Sequence, residues 1–151
     1  MSLVTEMKSW LWIARVWILL YPVLLFLGIL MGTYFGPIYY WSVIVIGVPL
    51  VVIPMTYKNL VGGGCSLRFQ ICALVKGMLA GVAFMVLSLL AETFVWQNLS
   101  VGLGWNPLSL GLTQDISFVW FFSGLIGGVG ARIAEVRAQT KPAKITIIGF
   151  E

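Results

Sequence analysis

The sequence predicts an all-α integral membrane protein: a four-transmembrane-helix bundle over residues 16–134, with N and C termini in the cytoplasm. Of the 151 residues, 60% are hydrophobic and 9% are charged, and the mean hydropathy is +1.03. About a quarter of the residues of a soluble domain are charged, so this composition indicates a surface that faces lipid. The uncharged runs are long enough for four helices, and all nine basic residues fall on one side of them.

The first two spans lie in a single uncharged run. No charged residue occurs from Val16 to Tyr57, a length that holds two transmembrane helices of about 20 residues each. Gly36-Pro37 is a turn signal in the middle of this run. We therefore expect span 1 at approximately 16–35 and span 2 at approximately 40–57.

Two further apolar stretches predict span 3 at approximately 72–95 and span 4 at approximately 116–134. Neither shows the alternation of polar and apolar residues that is typical of a membrane β-strand, so both are predicted to be helices. Residues 1–15 are predicted to form an interfacial amphipathic segment. Residues 135–151 are predicted to form a basic cytoplasmic tail.

The basic residues predict the orientation. They precede span 1, lie between spans 2 and 3, or follow span 4, and the two opposite loops contain none. The positive-inside rule puts such segments in the cytoplasm, which predicts a multi-pass protein of the plasma or inner membrane. The residues expected to contact lipid headgroups on this side are Trp10, Trp12, Arg15, Lys58, Arg68, Arg132 and Arg137.

Aromatic residues cluster near the predicted ends of the spans. Tryptophan and tyrosine are enriched at membrane interfaces because their rings are amphipathic. We expect an inner belt that consists of Trp10, Trp12, Trp17 and Tyr57. We expect an outer belt that consists of Tyr34, Tyr39, Tyr40, Trp41, Phe94, Trp96 and Trp120.

Small residues recur every four positions in three of the four spans. This spacing lets two helix backbones approach closely, which favours helix association in lipid. The predicted helix-packing positions are Gly28, Gly32, Gly36, Ala73, Gly77, Gly81, Ser123, Gly124, Gly127, Gly128 and Ala131. They pack either within this chain or against a foreign subunit. For the glycines of span 1, we expect the partner within the chain to be span 3 or span 4.

Glu92 is the only acidic residue inside a predicted span. Trp96 lies one turn further along and is predicted to mark the outer interface. We therefore expect Glu92 to lie near the outer headgroups and to be solvated. The alternative is an ion or proton site, because an ionisable residue within a membrane is by default a functional hypothesis.

Span 2 contains Pro49 and Pro54. Each proline removes a backbone hydrogen bond and favours a kink. We expect a bent helix that faces lipid, and the alternative is a gating or substrate hinge.

The outer loop is predicted to cover residues 97–115. Leu, Val and Trp recur throughout it, so its composition is too apolar for a flexible linker. Long loops of compact domains are usually functional or packed. We expect it to lie on the membrane surface or to contact a partner. Asn98 begins an Asn-Leu-Ser sequence and is a glycosylation acceptor if the cell glycosylates that side.

The chain offers few groups for catalysis. It contains no histidine, the commonest metal ligand and general base. Its two cysteines, Cys65 and Cys72, are too few for a structural zinc site. We therefore expect no enzymatic activity, no catalytic residue, no metal, no cofactor and no nucleic-acid partner.

The abundance of packing residues and the scarcity of reactive groups favour a non-catalytic accessory or structural subunit of a larger membrane complex, of respiratory, transport or oxygenase type. Its partners would be membrane lipids and other integral membrane subunits. The alternative is a small four-helix transporter or channel, acting as a homo-oligomer or as the small membrane subunit of a carrier.

Overall fold

Four α-helices make up the part of the chain that the structure, a computed structural model, describes: residues 3–61, 73–104 and 112–139. Each helix is long and apolar enough to cross a membrane. The prediction of an all-helical protein with four helices of membrane-spanning length is therefore confirmed. The helices are α1 (Leu3–Phe35), α2 (Pro37–Leu60), α3 (Ala73–Leu103) and α4 (Leu112–Gln139). The predicted positions outside the described residues are Cys65, Arg68, Cys72, residues 105–111 of the outer loop and the tail from residue 140 onward.

Helix α1 runs without a break from Leu3 to Phe35, so no helix end occurs at the predicted boundary near residue 15. Trp12 packs edge-on against Phe84 of α3, with ring centroids 6.0 Å apart. Trp10 is also partly buried against the core. Part of each tryptophan therefore contacts protein, and the contact of both with lipid headgroups stays a prediction.

The turn between α1 and α2 is a single residue, Gly36. Its φ of +113° lies in the region that favours glycine. Pro37 follows at the first position of α2, where a helix needs no N–H donor. A Cβ atom at Gly36 would meet no atom within 4 Å. Gly36 is therefore required by the turn and not, as expected, by close contact between helices.

The four helices pack around a ring in the order α1, α2, α4, α3. Helix α4 has extensive contacts with α3 and with α2, and α1 packs mainly on α2. The contacts between α1 and α3, which close the ring, are sparse. The backbones of α1 and α3 therefore approach each other least among the neighbouring pairs of the described bundle, and Trp12 and Phe84 pack between them.

The contact between α3 and α4 depends on facing glycines of two antiparallel helices. Gly77 lies against Gly128, and Gly81 lies against Gly124. A Cβ atom at Gly124 would lie 2.6 Å from the Cα atom of Gly81, which is too close for any side chain. Such backbone contact supplies van der Waals attraction between helices in lipid, where the hydrophobic effect does not bring them together. The small-residue stripes of spans 3 and 4 thus meet each other within this chain.

Two other predicted packing glycines lie against side chains of α2. Gly127 of α4 meets Thr56, and Gly28 of α1 meets the ring of Tyr40. The partner of Gly28 is thus α2, and the expectation that it would be span 3 or span 4 is wrong. The remaining predicted packing residues are also buried, namely Gly32, Ala73, Ser123 and Ala131.

Helix α2 does not simply face lipid, because it packs against both α1 and α4. Pro49 and Pro54 lie off its buried stripe and the helix continues through both. A hinge at these prolines stays a prediction. One residue per turn is buried along the whole helix: Tyr40, Ile44, Val48, Val52, Thr56 and Leu60.

Helix α3 continues past the predicted end of span 3 to Leu103. Gly104 follows with a φ of +69°, the left-handed conformation that commonly terminates a helix. Helix α4 begins at Leu112, before the predicted start of span 4. The connection is therefore shorter than the predicted outer loop, because residues at both of its ends extend the helices.

Gly128→Ala and Gly130→Ala form a matched pair that tests the α3–α4 contact. Each replacement of a helical glycine gains roughly 1 kcal/mol of helix propensity. A Cβ atom at Gly128 would lie 2.6 Å from the Cα atom of Gly77, whereas one at Gly130 would lie 3.4 Å from a ring atom of Tyr57. We expect Gly128→Ala to destabilise the protein by about 1–3 kcal/mol through overpacking.

Gly130→Ala should be neutral or stabilising, because the nearest atom belongs to a side chain at ordinary contact distance. Unfolding of both variants in detergent, by heat or denaturant, provides the measurement. Equal effects of the two substitutions would contradict the backbone contact.

Candidate functional site

One face of α3 is completely buried in the middle of the bundle. Its residues follow each other at intervals of four, which places them on one side of a helix. All are at most 1% exposed, and two of them, Ser88 and Glu92, are polar. The face consists of Ala80, Phe84, Ser88, Glu92 and Trp96.

The carboxyl group of Glu92 accepts one hydrogen bond at each oxygen. The hydroxyl of Tyr40, from α2, donates to Oε1 over 2.7 Å. The indole Nε1 of Trp96, one turn further along α3, donates to Oε2 over 2.7 Å. The rings of Tyr40 and Trp96 are perpendicular, with centroids 5.3 Å apart, so the two donors also pack against each other.

This arrangement overturns the expectation that Glu92 is solvated. Glu92 is 1% exposed, and its carboxyl is enclosed by protein groups. The same packing removes three aromatics from the predicted outer belt, because Tyr40, Trp96 and Trp120 are all fully buried. Trp96 lies one turn from Glu92, as expected, but its indole points to the carboxyl and not outward. The ion or proton site at Glu92 stays a prediction.

Two glycines, Gly36 and Gly28, determine the position of Tyr40. The Gly36 turn starts α2 at Pro37, which puts Tyr40 in the first turn of that helix. Its ring then lies on Gly28. A Cβ atom at Gly28 would come within 2.6 Å of the ring, so only glycine lets the ring occupy this position.

Tyr21 brings a third aromatic residue to the carboxyl, from α1. Its side chain is 5% exposed and its ring stacks on that of Trp17, with centroids 4.9 Å apart. The Tyr21 hydroxyl is close enough to interact with Glu92, but it does not reach hydrogen-bonding geometry with any described group. Glu92 is thus approached from α1, α2 and α3.

Further buried polar atoms lack a hydrogen-bond partner within the described residues. Unpaired buried groups are uncommon, since each costs about 1–3 kcal/mol. Two of these groups lie at the buried face of α3 that contains Glu92. Ser88 lies one turn from Glu92. Trp120 packs its ring on that of Phe84, with centroids 5.8 Å apart. The core therefore has hydrogen-bonding capacity beyond the bonds that it makes. The atoms concerned are Trp17 Nε1, Tyr21 Oη, Trp41 Nε1, Thr56 Oγ1, Ser88 Oγ and Trp120 Nε1.

The hydrogen-bond donors to Glu92 are neutral. An ion pair joins Arg132 to Glu135 over 3.3 Å, both on α4. Within residues 3–61, 73–104 and 112–139, no three His, Cys, Asp or Glu side chains come together as a metal site would require. The chemistry that the site offers is therefore that of one carboxyl group among hydroxyl and indole donors.

The basic residues at the other end of the bundle lie near a small cluster of Leu60, Ala73 and Ala131. Because this cluster joins the end of α2, the start of α3 and the last turns of α4, Lys58 and Arg132 share that end. Arg137 lines a groove of about 480 Å³ between α2 and α4. Contact of these side chains, and of the exposed Arg15, with lipid headgroups stays a prediction.

Asn98 lies in helix α3, not in a loop, and its side chain is exposed. Its Nδ2 donates to the carbonyl oxygen of Phe94 over 2.7 Å. Glycosylation at this position stays a prediction.

Sequence reasoning singled out Glu92 and noted Trp96 at i+4, but it did not identify Tyr21, Tyr40 or Ser88 as neighbours. For Ser88 the signal was present, because it lies four residues before Glu92 on the same helix face. The contact of Tyr40 with Glu92 joins residues 52 positions apart, and no spacing rule reaches that far.

Tyr40→Phe tests whether the hydrogen bond to Glu92 stabilises the fold. The variant keeps the ring on Gly28 but leaves Oε1 without its donor, which we expect to cost about 1–3 kcal/mol. Tyr39→Phe is the control, because the Tyr39 side chain is 47% exposed, and we expect little change there. Unfolding in detergent measures both, and an equally stable Tyr40→Phe would show that the bond contributes nothing.

No protein-family model, curated protein or solved structure matches this chain. What the protein does is therefore inferred from the geometry around Glu92.

Proposed function

We propose that this protein is a small four-helix transporter or channel of the membrane, in which Glu92 binds the proton or small cation that passes through. The observation that supports it is the enclosed carboxyl group, held by Tyr40 and Trp96 in a bundle of four apolar helices. Ionisable side chains inside membrane proteins are costly and mark ion and proton pathways.

The cost of burying Glu92 favours a function over a purely structural role. A buried polar group must recover its lost hydration through hydrogen bonds. An apolar side chain at the same position would need no such partners, and even buried ion pairs are often replaceable by apolar side chains of similar volume without loss of stability. A carboxyl group therefore contributes little through packing alone. It is chemically suited to the reversible binding of a positive charge.

We propose that a proton or small cation reaches Glu92 from the α1–α3 side of the bundle. Contacts there are sparse, and Tyr21 of α1 lies at the carboxyl. Pro22 follows Tyr21 within α1, and a proline in a helix removes one backbone hydrogen bond. Helix α1 is therefore weakened at the level of the site. We propose that a small movement of α1 opens and closes this path.

The orientation follows from the positive-inside rule. Lys58, Lys76 and Arg132 lie toward the end of the bundle at which the Leu60, Ala73 and Ala131 cluster joins three helices. We propose that this end faces the cytoplasm and that the α1–α2 turn at Gly36 faces the opposite side.

Ion flux into liposomes tests the proposed function. The purified protein is reconstituted, and the uptake of H⁺, Na⁺ and K⁺ is followed under an imposed potential. We expect flux of at least one of these ions, and we expect Glu92→Gln to abolish most of it, because the amide is similar in shape but cannot carry the charge. Asp115→Asn is the control, since Asp115 is an exposed acid at the start of α4. Absence of flux of all three ions, or equal flux of the Glu92→Gln variant, would contradict the proposal.

A second candidate is the accessory subunit of a larger membrane complex, and the observation that favours it is the outer face of α1. Helix α1 packs mainly on α2, and it presents large apolar side chains outward, with Leu19 73% and Phe26 68% exposed. We propose that another integral membrane subunit packs on this face. In this role, the glycine contacts and the Glu92 site stabilise the bundle itself.

Purification from native membranes in mild detergent, followed by native mass spectrometry, tests the second candidate. We expect a mass that includes at least one foreign subunit. Leu19→Ser on the outer face of α1 should weaken that association, whereas Leu50→Ser, at an equally exposed position on α2, should not. A protein that appears only as a monomer or homo-oligomer contradicts the accessory role.

A further inference from the structure

We propose that the ion bound at Glu92 is a proton, and that the hydroxyl of Tyr40 lets the carboxyl group take up and release it without rearrangement of the helices. This inference rests on the proposed transport function and names its substrate. The geometry that carries it is the division of donors between the two carboxyl oxygens.

The surroundings of Glu92 do not suit a metal cation. Hard cations such as Ca²⁺ and Mg²⁺ take about six or more oxygen ligands, and potassium filters replace the hydration shell with rings of carbonyl oxygens. At Glu92, the Oε2 atom accepts from the Nε1 of Trp96, and an indole N–H only donates, so it cannot coordinate a cation. Beyond the carboxyl itself, side-chain oxygens at the site belong to the hydroxyls of Tyr40 and Tyr21 and to Ser88, one turn away on α3.

A proton needs only one acceptor, and the hydrogen bond between Tyr40 and Glu92 serves both states of the carboxyl. In the carboxylate, the Tyr40 hydroxyl donates to Oε1 over 2.7 Å. When a proton arrives, a lone pair of Oε1 forms the new O–H bond, and the charge of the group changes from minus one to zero. The new O–H then donates to the Tyr40 oxygen, because a phenol hydroxyl both donates and accepts.

The Tyr40 proton then turns away from Oε1. The Tyr21 hydroxyl, which lies near the carboxyl, becomes its acceptor through a small shift of the Tyr21 side chain, since this hydroxyl has no hydrogen-bond partner among the described residues. Throughout, Trp96 continues to donate to Oε2, which becomes the carbonyl oxygen of the acid. The Tyr40 ring stays in place during this exchange, which is compatible with its close packing on Gly28.

No second carboxyl group and no basic side chain competes for this proton among the described groups at the site. Tyr21 from α1 and Tyr40 from α2 are the titratable groups that face Glu92. On α3, its neighbours one turn away are Ser88 and Trp96. On α4, the buried side chains include Ile116, Ser117, Trp120 and Ser123, and none of them titrates. The protonation of Glu92 is therefore a single-site event.

Infrared difference spectroscopy of the full-length protein in phosphatidylcholine vesicles tests the inference. We expect a carboxylic-acid C=O absorption that grows as the pH falls, that is lost in Glu92→Gln and that is retained in Asp115→Asn. Tyr40→Phe should shift its frequency, because the acid then loses its acceptor. The titration is measured on the unmodified protein, so it does not depend on the folding of any variant. Absence of a pH-dependent Glu92 band, or a Tyr40→Phe band at the unchanged frequency, overturns the inference.

Failure of the inference and failure of the proposed function give different results. Glu92-dependent flux of Na⁺ or K⁺ without H⁺ would leave the transport function standing and overturn the proton. A titrating Glu92 band in a protein that moves none of the three ions would overturn transport and leave a proton-binding site.

Discussion

The close approach of α3 and α4 is the contact on which the rest of this bundle depends. Gly77 meets Gly128 and Gly81 meets Gly124, so the two backbones touch and neither helix can rotate without separating them. Because the rotation of α3 is fixed in this way, its face from Ala80 to Trp96 is buried in the core. A polar residue on that face is enclosed by protein, and Glu92 finds its hydrogen-bond donors there.

Glu92 is the residue for which this constraint matters most. One of its hydrogen-bond donors, Trp96, lies on α3 itself, and the other, Tyr40, comes from α2 through a narrowly defined position. Tyr40 reaches the carboxyl because Gly36 ends α1 sharply and because Gly28 leaves room for the ring. The same glycines that pack the helices therefore place the donors. A change at Gly28 would act on Glu92 through Tyr40, although the two residues belong to different helices.

The two candidate functions use the same bundle in different ways. Transport requires the carboxyl to exchange a positive charge, and the route that we propose for it is the α1–α3 side, beside Tyr21 and Pro22. An accessory role requires a stable bundle with an outer face for a neighbour, and α1 provides that face. The enclosed carboxyl group favours transport, because a purely structural bundle gains little from a buried acid that an apolar side chain could replace.

The sequence by itself determined the four helices, since only long uncharged apolar runs satisfy both the length and the backbone hydrogen bonding that a membrane demands. It also identified Glu92 and the glycine spacings of spans 3 and 4, because those patterns are local to one helix. The depth of burial of Glu92, its bond to Tyr40 and the contact of Gly28 with α2 were decided only by the tertiary structure. The physical reason is that periodicity shows which residues share a face of a helix, whereas the rotation and neighbours of that helix depend on contacts between distant parts of the chain.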